Sequence, residues 1–128
     1  MAVRKLSFGP DAARAIADER LERVTIAPLT HSLAHGAAVQ AACFRIAAGG
    51  RIARHPAAAD QILAVVEGSG WVSGDNGHEE PIAAGEAVYW RRGEAHETRT
   101  ESGLTAIVIE AESLAPFAGS SLKAHTRE

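Results

Sequence analysis

The chain has 128 residues, of which 46% are hydrophobic and 23% charged, and its formal net charge is −3 at pH 7. This length and composition fit one folded domain and exclude a wholly disordered chain. The small negative charge gives no attraction to nucleic acid or anionic lipid, so neither is expected as a partner. A single cysteine excludes an intrachain disulfide, and no N-terminal stretch has the pattern of a signal or membrane span. We therefore expect a cytoplasmic protein.

Residues 1–23 are predicted to form a short N-terminal helix or arm. The stretch 10–21 is rich in helix-forming residues, and its proline stands in the first turn, where a helix tolerates it. Ile16 and Leu21 are its only large apolar residues, so such a helix would be weakly amphipathic. The next segment, 24–29, has the pattern of a short edge strand that a proline interrupts.

From about residue 37 the sequence alternates short apolar segments with glycine-rich turns. The Asn76-Gly77 pair indicates a hairpin, because both residues accept positive φ angles. Gly49-Gly50 and the glycines of 68–70 are interpreted as further turns that end strands. The pattern predicts an all-β sandwich or barrel over 24–114, followed by a C-terminal tail at 115–128. Strands are predicted at 39–47, 61–67, 71–73, 87–90, 96–100 and 104–110.

Two of these segments contain histidines at spacings that resemble the two motifs of the cupin superfamily. In the first segment, five residues separate Gly49 from His55, and Gly68 follows at the family's distance. In the second segment, Gly85 and His96 stand at the family's positions, with the motif's other glycine between them. The resemblance covers about residues 37–112, and the inter-motif stretch is short, as in small single-domain bacterial cupins.

The chain departs from the family pattern at four motif positions. Ala57 stands where the first motif has its second histidine, and Gln61 stands where it has glutamate. In the second motif, Arg91 replaces a proline and Thr100 replaces an asparagine. The resemblance therefore includes a degenerate metal motif.

The resemblance implies an RmlC-like double-stranded β-helix, or jelly-roll, barrel with a ligand cavity. Side chains alternate along a strand, so an inward Gln61 implies an inward Leu63, and an inward His96 implies an inward Thr98. The implied cavity is mostly apolar with a few polar groups, which is typical of small-molecule sites. Its expected lining residues are His55, Ala57, Gln61, Leu63, His96 and Thr98.

The altered ligands weaken the expected metal centre. His55 and His96 are neutral donors, and Gln61 offers only an amide oxygen. A bound dication would keep its full charge in a partly apolar cavity, which is unfavourable. We expect weak or absent binding of a divalent transition metal (Zn, Ni, Fe or Mn), with these three residues as its ligands.

Three functions follow from the resemblance. The first is small-molecule binding in the cavity, with His55 or His96 as a general base if the protein is catalytic, because imidazole titrates near neutrality. The second is a metal-dependent dioxygenase or isomerase that uses His55, Gln61 and His96. The third is a homo-oligomeric interaction module with a vestigial cavity. A homodimer is expected in each case, because family members commonly dimerise through a sheet face and the apolar segment 62–66 is compatible with burial on both faces.

Overall fold

The computed structural model describes residues 3–30 and 38–116 and confirms the all-β prediction. One turn of 3-10 helix at Pro10–Ala12 precedes the strands. No helix within the described ranges combines the length and hydrophobicity needed to cross a lipid bilayer. The strands are β1 (Leu21–Pro28), β2 (Val39–Pro56), β3 (Asp60–Ser73), β4 (Glu79–Ala83), β5 (Ala87–Trp90), β6 (Ala95–Arg99) and β7 (Leu104–Ala111).

The strands form a jelly-roll barrel of two antiparallel sheets that share their longest strands. In the first sheet, β7 lies between the first half of β2 and the first half of β3, which also pairs with β5. In the second sheet, β6 lies between the second halves of the same two strands, and β3 continues into its pairing with β4. β1 pairs along both halves of β2. The closed ring of β2, β7, β3 and β6 encloses the core.

The interpretation of Gly49-Gly50 and 68–70 as strand-ending turns is wrong, because β2 and β3 continue through both. Gly49 has a φ of +80° and Gly68 a φ of +82°, values that L-residues rarely adopt. These positions lie where each strand leaves one sheet and enters the other. Glycine is also needed at position 68 for space, because a Cβ atom there would collide with the carbonyl oxygen of Gly103.

The predicted N-terminal helix is reduced to the Pro10–Ala12 turn, and the rest of the described segment is an arm. Two apolar residues give a helix too little surface to bury, whereas extended backbone can pair with β1. Arg14 and Ile26 exchange backbone hydrogen bonds of 2.9 and 2.8 Å at the outer edge of β1. Strand β1 itself begins at Leu21. The tail lies outside the described residues from position 117 onward.

The core fills the space between the two sheets, as side-chain alternation requires. Leu63 and Val65 of β3 are 1% and 3% exposed, and Trp90 of β5 is 2% exposed. Opposite them, Ile52 and Thr98 belong to the second sheet and are also buried. The enclosed end of the barrel near the start of β3 is where the polar inward residues gather.

Replacing Gly68 with alanine is expected to lower the free energy of unfolding by about 3 kcal/mol, because strain at positive φ is added to a backbone collision. Gly77→Ala is the matched control: its φ is +74°, but nothing lies within 4 Å of the added Cβ. We expect that control to cost only about 1 kcal/mol. Urea denaturation measures both, and equal losses would contradict the close approach at position 68.

Candidate functional site

His55 lies opposite His96 because β2 contains a β-bulge just before it. The pairing of β2 with β6 runs from Ile52 opposite Thr98 to His55 opposite His96, with a register shift between the two pairs. Without the shift, strict alternation from the buried Ile52 would turn Arg54 inward in place of His55. The extra residue reverses this alternation and brings the two histidines together.

The two imidazole rings are in contact, although they come from distant parts of the chain. Their centroids lie 4.5 Å apart with an interplanar angle of 52°. On its other side His96 contacts the indole of Trp90, with ring centroids 4.4 Å apart. His96 is 3% exposed, whereas His55 is only half-buried. We call this end of the barrel, formed by His55, Gln61, Trp90, His96 and Glu110, the mouth.

Backbone carbonyl groups set the tautomer of both rings. Nδ1 of His55 lies 2.7 Å from the carbonyl oxygen of Ala53, and Nδ1 of His96 lies 3.2 Å from that of Glu94. A carbonyl oxygen only accepts hydrogen bonds, so in the neutral rings Nδ1 carries the proton and Nε2 is an acceptor. Among the described residues neither Nε2 has a partner, and no side-chain nitrogen or oxygen there is both buried and unpaired. Both Nε2 atoms are therefore open to water or a ligand.

Gln61 stands at the start of β3 and is held by a carboxylate. Its Nε2 donates a 2.8 Å hydrogen bond to Oε2 of Glu110, which lies directly opposite it on β7. The amide oxygen of Gln61 has no partner among the described residues and remains an acceptor. Sequence reasoning missed Glu110. Alternation from the inward Ala106 and Val108 was the available signal for it.

The other predicted site residues surround these groups but present little surface. Leu63 and Thr98 are each 1% exposed, so they form the floor beneath the mouth. Ala57 is 4% exposed and follows His55 by two residues. Its N–H donates to the carbonyl oxygen of Glu94 at 3.0 Å, which fixes it beside the beginning of β6.

Arg54 positions the indole that packs on His96. Its guanidinium donates to Oγ of Ser73 at 3.1 Å and to the carbonyl oxygen of Gly74. The carbonyl oxygen of Ser73 in turn accepts a 3.1 Å hydrogen bond from Nε1 of Trp90. The side chain that the bulge keeps out of the barrel therefore supports the wall of the mouth from outside.

Burial is the main cause that lowers the pKa of His96. The hydrogen bond to the carbonyl group of Glu94 acts in the opposite direction, and the positive charge of Arg54 adds to the lowering. Desolvation disfavours the charged form of a histidine. His96 is therefore neutral at pH 7.

The N-terminal arm brings an ion pair close to His55. The carbonyl oxygen of Arg20 accepts a 2.7 Å hydrogen bond from the N–H of Ala53, the residue whose own carbonyl faces His55. Arg20 forms a 2.7 Å ion pair with Asp18. The hydrogen bond from Arg20 is the main cause that lowers the pKa of Asp18 to about 2. Nothing in the sequence pattern indicated that the arm reaches the mouth.

The donors at the mouth do not fit a resident divalent metal. Ala57 has no ligand atom, and Gln61 offers a metal only its amide oxygen, because its Nε2 donates to Glu110. Within residues 3–30 and 38–116, no group of three or more His, Cys, Asp or Glu side chains is arranged to hold a metal ion. Two neutral imidazoles and one amide oxygen leave the charge of a dication uncompensated, and the carboxylate of Glu110 does not form a metal-holding group with the two histidines.

Two surface cavities share Asp75, Tyr89 and Glu94 in their linings. The smaller has a volume of about 400 Å³ and lies between β5 and the loop 73–76. The larger, of about 700 Å³, is lined by Tyr89, Arg91 and Arg92 among others. Neither cavity is lined by His55 or His96.

Comparison with known proteins gives a family match and several similar folds. The family model described as "Cupin domain" matches residues 42–111, which is more than half of the chain. None of the curated sequences compared with the chain matches it.

Solved structures resemble the fold at low sequence identity. The polyketide cyclase RemF from Streptomyces resistomycificus is 20% identical with a TM-score of 0.73, and the match covers 99% of this chain and 94% of that protein. An RmlC-like cupin from Shewanella frigidimarina is 19% identical with a TM-score of 0.70, covering 91% and 97% of the two chains. A predicted oxalate decarboxylase from Thermotoga maritima is 22% identical with a TM-score of 0.62, covering 69% and 79%.

The free energy of unfolding is expected to fall as the pH drops below about 6.5. In this range His96 binds a proton in the unfolded chain, whereas its lowered pKa keeps it unprotonated in the folded state. The loss continues until the pH passes the lowered pKa of the folded state. His96→Gln removes this contribution and flattens the dependence, whereas His78→Gln, at an exposed site, leaves it unchanged. Urea denaturation between pH 5 and pH 8 measures the slope, and an unchanged slope in the His96 variant would disprove the assignment.

Proposed function

The chain belongs to the cupin superfamily, and on that premise we propose that it binds a small molecule at the mouth without a resident metal. The observation that carries the proposal is the pair of contacting imidazoles whose Nδ1 protons are both directed at backbone carbonyls. Fixed tautomers present two preorganised acceptors at the end of an apolar core. Such a combination of apolar walls and a few fixed polar groups is typical of ligand sites.

The same arrangement supports proton transfer if the ligand reacts. A neutral imidazole with a free Nε2 lone pair accepts a proton from a bound molecule. His55 is the less buried of the two rings and is the more accessible to a bound molecule, while burial lowers the pKa of His96. The match to a polyketide cyclase over nearly the whole chain is compatible with catalysis in this fold but supports the fold alone.

The metal-dependent dioxygenase or isomerase is the weaker proposal. It requires His55, Gln61 and His96 to share a cation, with Gln61 contributing the amide oxygen that its hydrogen bond to Glu110 leaves free. A metal held by those three atoms would have no anionic ligand among them.

We further propose that the protein is a cytoplasmic homodimer that associates through the outer face of the first sheet. Ile62, Ile107 and Ile109 lie on this face at half-buried positions of β3 and β7, and Val66 is 56% exposed. The guanidinium of Arg45 holds the arm at Phe8 on the neighbouring part of the same face. A second copy of the chain is the proposed partner, because it brings an equal apolar surface to the contact. The arm exposes further large apolar side chains. These are Val3 (87%), Leu6 (73%) and Phe8 (44%).

The cytoplasmic location rests on a fold that needs no disulfide, its single cysteine being buried and free.

A small-molecule screen by thermal shift in the presence of EDTA tests the binding proposal. A specific ligand is expected to raise Tm in the wild type, because it binds only the folded state. Gln61→Ala and His55→Ala should lose this protection, and His78→Ala should keep it. Protection that survives both mouth variants would place the site elsewhere.

Ala57→His is expected to raise the metal affinity above that of the native chain, because it adds a third imidazole beside His55 and His96. Equilibrium dialysis with Ni²⁺ or Zn²⁺ is the measurement, with Ala58→His at the neighbouring exposed position as the control. Tight stoichiometric binding by the native protein would refute the metal-free proposal. No gain over the native protein would show that residue 57 does not face the two histidines.

Ile109→Lys should convert the dimer to a monomer, because it places a charge in the proposed apolar interface. Ala83→Lys, at an exposed position of β4 in the second sheet, is the control and should remain dimeric. Sedimentation equilibrium gives the mass, and circular dichroism confirms that each variant is folded. A native chain that sediments as a monomer would refute the dimer.

A further inference from the structure

We infer that the mouth selects an uncharged ligand that carries two or more hydroxyl groups, and discriminates against carboxylates and phosphates. This inference rests on the proposed function, because it names the ligand class of the same site. It follows from the direction of each hydrogen bond around the mouth.

The open ring nitrogens of the two histidines are acceptors. Nε2 of His55 and Nε2 of His96 each carry a lone pair, because the Nδ1 protons are engaged with Ala53 and Glu94. A ligand must therefore bring the hydrogen atoms. A carboxylate has none to give and would face two lone pairs.

The pair of Gln61 and Glu110 reinforces the same polarity. The amide of Gln61 directs one N–H at the carboxylate, which leaves its carbonyl oxygen as an acceptor and one further N–H on the same nitrogen. An ionised Glu110 is itself an acceptor with a negative charge. An anion bound beside this pair would meet like charge, and one neutral amide N–H of Gln61 offsets little of that repulsion.

The nearest cations are already engaged. Arg54 donates to Ser73 and Gly74 on the outer side of the barrel. Arg20 is paired with Asp18, and that carboxylate offsets its charge near His55. Among the described residues, no guanidinium group near the histidines is therefore free to pair with an anion at the mouth.

Apolar surface favours hydroxyl groups over a cationic donor. Trp90 and Leu63 are 2% and 1% exposed and supply the indole wall and the floor of the mouth. An ammonium group would lose its hydration against two neutral imidazoles and hydrocarbon, a larger penalty than a hydroxyl group incurs, and the carboxylate of Glu110 already accepts a hydrogen bond from Gln61. A small hydrocarbon skeleton with neighbouring hydroxyl groups can donate hydrogen bonds to the acceptors and pack its carbon atoms against the apolar wall.

The test is an NMR titration of the imidazole Hε1 resonances in EDTA with four probes. They are 1,2-dihydroxybenzene, its dimethyl ether, cis-1,2-cyclohexanediol and benzoate. We expect a dihydroxy probe to shift the resonances of His55 and His96 but not that of His78. The ether and benzoate should bind at least tenfold more weakly, because the ether leaves both acceptors unpaired and benzoate adds charge repulsion. Comparison of the two diols distinguishes phenolic from aliphatic hydroxyl groups.

Glu110→Gln provides the charge control. It keeps an acceptor beside Gln61 and removes the negative charge. The ratio of the affinity for the dihydroxy probe to that for benzoate should therefore fall several-fold. Glu101→Gln, at an exposed carboxylate, should leave the preference unchanged. Binding of benzoate in place of the diols would overturn the inference and leave the proposed function standing. Four probes that all fail to shift either resonance would count against both.

Discussion

The fold depends on β2 and β3 each passing from one sheet into the other. Each strand pairs with β7 before its glycine corner and with β6 after it, and this double use closes the barrel. The corners need backbone at positive φ and, at Gly68, no side chain. Because the same strands carry His55 and Gln61, this geometry also sets the distance between the two walls of the mouth.

The chemistry of the mouth then depends on small backbone details. One extra residue in β2 decides that an imidazole, and not a guanidinium, enters the barrel. Two carbonyl groups, each two residues before its histidine, decide which ring nitrogen is left free. The displaced Arg54 is then used from outside, through Ser73, to hold the indole of Trp90 against His96. Side-chain identity, strand register and tautomer thus act together at one end of the fold.

Much of this arrangement was predictable from the sequence, because it is periodic or locally encoded. Alternation and turn residues indicated the strands, and the motif spacing gave the cupin fold that the family match confirms. The glycine corners were misread because positive φ serves a bend within a strand as well as a reversal between strands. Glu110 and the arm at Asp18 were missed because their roles arise from pairing between distant segments, which local pattern does not encode.

The contact between Arg14 and Ile26 has a consequence for how the protein behaves in concentrated solution. A β-strand at the border of a sheet presents unpaired N–H and C=O groups on which a foreign strand can assemble. The arm covers part of that border on β1 with two backbone hydrogen bonds, while β4 and β5 are short, at five and four residues. Loss of the arm would uncover the longest such border in the described chain and create a template for fibrous aggregation, even in a barrel whose interior remained intact.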